Sequence, residues 1–276
     1  MIPAPFTYQR VEFVDHAIQI LTDNPDAKII AGGHSLLPLM RLRLARPEML
    51  VDITRIQDLK YIKEDDGHLA IGALTRHHDL ANSEVLQQLC PILPFTASQI
   101  GDPQVRHVGT IGGSVAHADP AGDIPTVLVA LGAELVVRDP YGETRRVGAG
   151  DFFRGLFEPD LRPNEVLTEI RVPKIAGRGW SYVKFHRRSQ DWALVGVAAL
   201  AANGAGPTVA LTNMSDRPIR ATGVEEELAG GADPTAAAAR AAEGTRPPSD
   251  AFASAEYRQE LVKVLVRRAL EEAMSR

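Results

Sequence analysis

Two short segments of this 276-residue chain pair adjacent glycines with hydroxyl residues: Ala31-Gly32-Gly33-His34-Ser35 and Thr110-Ile111-Gly112-Gly113-Ser114. Without a Cβ, glycine lets the backbone approach a ligand closely and turn several N–H groups toward one point. That geometry cradles phosphate, and the neighbouring hydroxyls add side-chain donors. One Gly-Gly pair between elements is commonly just a tight turn. Two in one chain suit a dinucleotide, whose pyrophosphate would lie between them. Neither segment fits G-x-G-x-x-G after a strand or G-x-x-x-x-G-K-[ST], so by motif this is not a Rossmann domain.

Other reactive side chains form no comparable set. His77 and His78 are adjacent and would diverge by about 100° on a helix, and together with His34, His107 and His117 they lack the spacing of a metal site. His34, inside a glycine segment, fits either a phosphate contact or polar filler at a turn. No Ser/His/Asp arrangement or pair of catalytic carboxylates stands out among 35 acidic residues. The single cysteine, Cys90, cannot by itself hold an iron–sulfur cluster, close a structural zinc site or form an internal disulfide. Its place at the apolar end of an expected helix, just before Pro91, reads as a packed, inert thiol.

The elements that must position the glycine segments follow from patterning. A helix starting near Asp15 carries Ala17, Ile18 and Leu21 on one face; strands are expected at 28–31 and 50–53, with a helical stretch at 36–43 between them. This first unit ends near Asp58. From 59 to 173, strands at 69–73, 133–138 and 166–172 bracket helices at 75–89 and 91–100, and the Gly/Asp/Pro-rich stretch 101–125 reads as a long functional loop. From 174 to 276, apolar segments at 180–185, 195–202 and 209–214 suit an antiparallel sheet. Two helices follow, the last at 257–274 with Leu261, Leu265, Ala269 and Ala273 on one face; 230–248 reads as a loop or short helix. The fold class is α+β.

Bulk properties exclude some roles. With 45% hydrophobic residues the chain can bury a sizeable core, and its net charge of −5 leaves no extended cationic surface for nucleic acid. No apolar run approaches the roughly 20 residues that span a bilayer, and the first ten residues lack the order of a secretory signal. A cytoplasmic protein without an integral membrane segment is expected, with association to the inner face of the membrane open only through partners.

The segments AGGHSLLPLM from Ala31, TIGGSVAHADPAGDIP from Thr110 and YVKFHRRSQDWALVGVA from Tyr182 have an order and spacing that resembles the FAD-binding medium subunit of the aerobic carbon monoxide dehydrogenase and xanthine dehydrogenase family, the molybdenum hydroxylases. The likeness spans nearly the whole chain. It implies a two-part FAD-binding domain of the vanillyl-alcohol-oxidase and molybdenum-hydroxylase flavoprotein type, residues 1–58 and 59–173, followed by a small C-terminal domain, 174–276. By the same resemblance the pyrophosphate of FAD lies on the two glycine segments, with Ile30, Leu36, Ile100, Gly101, Val105 and Gly109 flanking them. Asp123 would accept a hydrogen bond from the adenosine half, its alternative role being a helix N-cap ahead of Pro125. Leu167 would pack on the cofactor. Lys184 would lie near the polar edge of the isoalloxazine, or else be a solvated strand lysine, and Trp192 would stand beside the flavin ring, or else fill the third domain's core.

The resemblance further implies partners: a large molybdopterin-binding subunit that oxidises the substrate and a small subunit with two 2Fe-2S clusters. The FAD of this chain would pass the electrons to an external acceptor. Two other readings stay open, a self-contained FAD-dependent oxidase or dehydrogenase and a non-catalytic nucleotide-binding scaffold.

Overall fold

The computed structural model describes residues 2–276. The N-terminal alternation folds as β1 (Thr7–Arg10), α1 (Val14–Asp23), β2 (Ala27–Ile30), α2 (Leu36–Arg41) and β3 (Met49–Asp52). Both β1 and β2 pair in parallel with the central β3. Val14, Ala17, Ile18 and Leu21 of α1 close over Val51 and Ile53. Strand β1 escaped the sequence reading because it lies mostly exposed at the sheet edge and carries no apolar alternation.

The chain then builds β4 (Ile62–Asp65) and β5 (His68–Gly72), followed by six helices in succession. These are α3 (His77–Ala81), α4 (Glu84–Leu89), α5 (Ile92–Ser98), α6 (Pro103–Val108), α7 (Ile111–His117) and α8 (Asp123–Leu131). After them come β6 (Glu134–Arg138), β7 (Thr144–Gly148), the one-turn α9 (Ala149–Phe152), the small hairpin β8 (Phe153–Gly155) and β9 (Glu158–Pro159), and finally β10 (Val166–Pro173). The antiparallel sheet runs β4-β5-β10-β6-β7.

Two expectations change here. The helix expected over 75–89 is broken in two, because Ser83 starts a new helix by accepting the Leu86 N–H. The long loop expected over 101–125 is largely helical. Asp102, with Pro103 behind it, caps α6, and Thr110 caps α7. Side-chain caps and tertiary packing override the low helix propensity of glycine that had suggested a loop.

The C-terminal part contains β11 (Trp180–Phe185), β12 (Val195–Leu200), β13 (Thr208–Thr212), β14 (Ile219–Arg220), α10 (Thr222–Ala229), α11 (Pro234–Ala238) and α12 (Ala255–Ser275). Its sheet is antiparallel in sequential order. Tyr182, Ala198, Leu200 and Ala210 join the cluster that holds α8, while Val195, Val197, Val209 and Leu211 pack with Val262, Leu265, Val266 and Ala269 of α12. Burial on both faces explains why β12 and β13 read as unbroken apolar runs. Every residue of α8 is buried, so this helix is the shared floor between the middle and C-terminal sheets. No helix among the described residues is long and apolar enough to cross a membrane.

Candidate FAD-binding site

The first glycine segment leaves β2 and enters α2. Gly33 has φ +70°, in the left-handed region, and the Gly33 carbonyl accepts the Leu37 N–H at 2.9 Å. The N–H groups of Gly32, Gly33, His34 and Ser35 donate to no acceptor among the described residues, and the Ser35 hydroxyl makes no hydrogen bond. Successive free amides at a helix start, in a segment that is not buried, form a nest suited to an anionic oxygen.

The second segment is built differently. Thr110 Oγ1 accepts the Gly113 N–H at 3.1 Å, and the Thr110 carbonyl accepts that of Ser114 at 3.0 Å. The N–H groups of Ile111 and Gly112 donate to Thr75 and Ala73 carbonyls, each at 2.9 Å. These four amides are therefore engaged within the protein, which corrects the expectation of a second open amide cradle. Gly112 is needed for packing: a Cβ there would stand 2.6 Å from both the Cβ and the carbonyl oxygen of Ala73. What this segment offers a ligand is the exposed, bare face of Gly113, the half-buried Ser114 hydroxyl and the positive end of α7.

The first segment meets the chain immediately before the second. A Cβ on Gly32 would come 2.4 Å from the Val108 carbonyl oxygen and 2.8 Å from Gly109 Cα, so only glycine lets them close into one site. Beneath the crossing lies His77, whose N–H donates to the Gly109 carbonyl at 3.0 Å and whose ring would sit 3.0 Å from a Cβ on Gly109. The residue is 5% exposed, and its Nδ1 has no partner among the described residues. Burial, with lesser contributions from Arg106 and His34, pushes its pKa down to about 4, so it is neutral near pH 7. His78 stacks on His107 with centroids 4.0 Å apart, and no cluster of His, Cys, Asp or Glu among the described residues could hold a metal ion. Cys90 is fully buried, and burial pushes its thiol up to about 12.

Ile100 and Gly101 precede α6, and a Cβ on Gly101 would stand 3.2 Å from Val105 Cβ. The Arg106 guanidinium donates to the carbonyls of Ile100 at 2.9 Å and Gly101 at 3.3 Å, while Asp102 holds the Val105 N–H at 2.8 Å. Sequence reasoning missed Arg106; the Asp-Pro start of α6 was the available signal. Ile30 closes β2, and Leu36 opens α2, which places them at either end of the first segment. Leu167 lies in the core at the bulge of β10 and is 5% exposed.

Asp123 is the first residue of α8, and Gly122 before it is the N-cap, so the capping alternative for Asp123 is overturned. Its carboxylate accepts the Tyr182 hydroxyl at 2.6 Å and the Lys184 ammonium at 2.8 Å. The Lys184 and Asp123 side chains are 2% and 5% exposed, which overturns the solvated-lysine alternative. Burial pushes the Asp123 carboxyl up, and Lys184 and Tyr182 pull against that shift; burial and Asp123 together raise the Tyr182 hydroxyl well above its ordinary value, so it stays a donor. Tyr182 was not singled out from sequence. Trp192, 59% exposed, is not a core residue.

Two family models cover the chain: the FAD binding domain in molybdopterin dehydrogenase at residues 4–175 and the CO dehydrogenase flavoprotein C-terminal domain at 180–273. The carbon monoxide dehydrogenase medium chain of Hydrogenophaga pseudoflava is 40% identical, covering 100% of this chain and 99% of the relative. The glyceraldehyde dehydrogenase medium chain of Sulfolobus acidocaldarius is 38% identical, covering 99% of each. Among solved structures, Hydrogenophaga pseudoflava carbon monoxide dehydrogenase lacking the Mo-pyranopterin moiety of its molybdenum cofactor superposes with a TM-score of 0.96 at 41% identity, over 100% of this chain and 99% of that one. With the open amide nest and the glycine crossing in place, the chain belongs to the family of FAD-binding medium subunits of molybdenum hydroxylases of the carbon monoxide dehydrogenase and xanthine dehydrogenase type.

Proposed function

We propose that this chain is an electron outlet, its FAD accepting electrons from 2Fe-2S clusters in a small partner chain and delivering them to an external acceptor. Substrate oxidation then belongs to a large molybdopterin-binding partner. The observation that carries the reading is the run of four free amides from Gly32 to Ser35, closed against Gly109 by a glycine contact that admits no side chain. That run would hold the pyrophosphate, with Ser35, Gly113 and Ser114 completing the cradle. FAD, when bound, would supply the capacity to accept electrons one at a time from a cluster and hold two for the acceptor.

The protein contributes position and electrostatics. The resemblance sends Asp123 and Lys184 toward opposite ends of FAD, but a 2.8 Å ion pair makes them one unit. In our reading the pair serves one end, beneath the ring system. Because Asp123 neutralises Lys184, the pair offers a directed N–H donor more than net positive charge, and Tyr182 fixes the carboxylate that aims it.

Relatives named for carbon monoxide and for glyceraldehyde are about equally similar to this chain. This supports our reading that a partner sets the substrate. Co-expression with neighbouring genes tests the proposal: a large molybdenum-containing chain and a small cysteine-rich chain should co-purify, and the flavin of the complex should bleach on adding substrate. A chain that binds FAD and oxidises an organic substrate alone, without molybdenum, would sink it. A colourless chain that takes up no added FAD would sink every flavin-based reading.

A further inference from the structure

Between β11 and β12 the chain makes a loop, 186–194, whose outer part carries Arg187, Arg188 and the exposed Trp192. The inner part of this loop is held from behind by groups distant in sequence. The Asn213 side-chain amide donates to the carbonyls of Ala193 at 2.8 Å and Leu194 at 3.3 Å. Asn213 itself has φ +59°, a conformation that Asn tolerates better than most residues, and its N–H is held by the Pro120 carbonyl at 2.8 Å.

The second restraint comes from α12. Arg258 is completely buried, and its guanidinium donates to the Leu194 carbonyl and to Asp250 at 2.6 Å. Asp250 also accepts the N–H groups of Phe252 and Ala253, which shapes a tight turn, and the Phe252 ring lies under Arg187 at 4.8 Å. Turn and helix thus grip the loop on two sides. Burying a guanidinium is expensive, more so here because its Nε has no partner among the described residues. A packed apolar side chain at this position would serve stability at least as well, so the burial points to a task in which geometry matters.

We infer that Arg258, with Asn213, is a positioning residue that fixes the Ala193–Leu194 backbone and so sets where the Trp192 indole stands. The consequence for flavin chemistry rests on the proposed placement of Trp192 beside the ring; the anchoring itself does not.

The chain has two tryptophans, so a Trp180→Phe background leaves Trp192 as the single reporter. In the full-length protein, Arg258→Met should raise the amplitude of fast indole motion in time-resolved anisotropy by roughly twofold and open Trp192 to acrylamide. Arg258→Lys, able to reach one of the two acceptors, should restore part of the restraint. Asn213→Gly, which keeps the left-handed backbone but loses the amide, should loosen Trp192 in the same direction and decides the matter if Arg258→Met does not fold. Unchanged Trp192 anisotropy in a folded Arg258→Met protein, or in Asn213→Gly when that variant is the deciding one, would overturn the inference, leaving a purely structural role. Adding FAD to the background protein separates the two ideas: absence of Trp192 quenching would count against its place beside the flavin and leave the anchoring result standing.

Discussion

Gly32-Gly33 and Gly112-Gly113 are the same dipeptide beside the same kind of hydroxyl residue, yet they do different physical work. At 32–35 the amides stay free and one glycine occupies the left-handed region, so in the proposed site the backbone itself would be the binding surface. At 111–114 the amides are engaged within the protein, and Gly112 exists to let α7 seat against Ala73. Under the proposed function the first pair would serve a ligand directly, while the second chiefly serves packing, seating α7 against Ala73. Identical residue types acquire different functions according to which donors the surrounding fold leaves unpaired.

Gly32→Ala should have the largest effect, because its Cβ would meet backbone atoms of Val108 and Gly109 that cannot rotate away. We expect loss of about 3 kcal/mol or more of stability, the upper part of the overpacking range, together with loss of flavin, read by chemical denaturation and visible absorbance. A stable, yellow variant would show that the close contact with Val108 and Gly109 is not needed.

The next effect is a pH dependence under the crossing. Burial lowers the His77 pKa from 6.5 to about 4. Between these values the unfolded state binds the proton and the folded state does not, so stability present above pH 6.5 should fall as pH drops toward 4, by at most about 3 kcal/mol. His77→Gln should flatten that part of the curve; denaturation midpoints in both proteins across this window measure it.

Two smaller substitutions bear most directly on the comparison. Gly112→Ala should cost about 1–3 kcal/mol by crowding Ala73 while the folded fraction still binds FAD. Gly33→Ala should cost about 1–2 kcal/mol for its left-handed backbone but weaken FAD binding markedly, measured by flavin retained on gel filtration. Reversed outcomes would mean the two roles are exchanged. The smallest effect is Thr110→Val, which removes the cap on Gly113 and should cost about 0.5–2 kcal/mol, with Thr110→Ser restoring it.

Much of this was legible beforehand. The apolar runs at 195–202 and 209–214 announced the C-terminal sheet, and the periodicity of Leu261, Leu265, Ala269 and Ala273 announced α12. The stretch 101–125 misled because glycine, aspartate and proline mark loops by composition, whereas Asp102 and Thr110 act here as caps. Edge strand β1 was hidden for the opposite reason: exposure removed the pattern that would have marked it.

The sequence by itself determined the glycine segments, the apolar patterning and, through resemblance, the flavoprotein family. These depend on residues within a few positions of each other or on an ordered set of motifs. Only the tertiary structure decided that Asp123 and Lys184, 61 residues apart, form one buried pair, that Arg258 reaches back 64 residues to Leu194, and that one glycine segment keeps its amides free. Each of those outcomes turns on which polar groups burial leaves with a partner, and burial is a property of chain segments meeting in space.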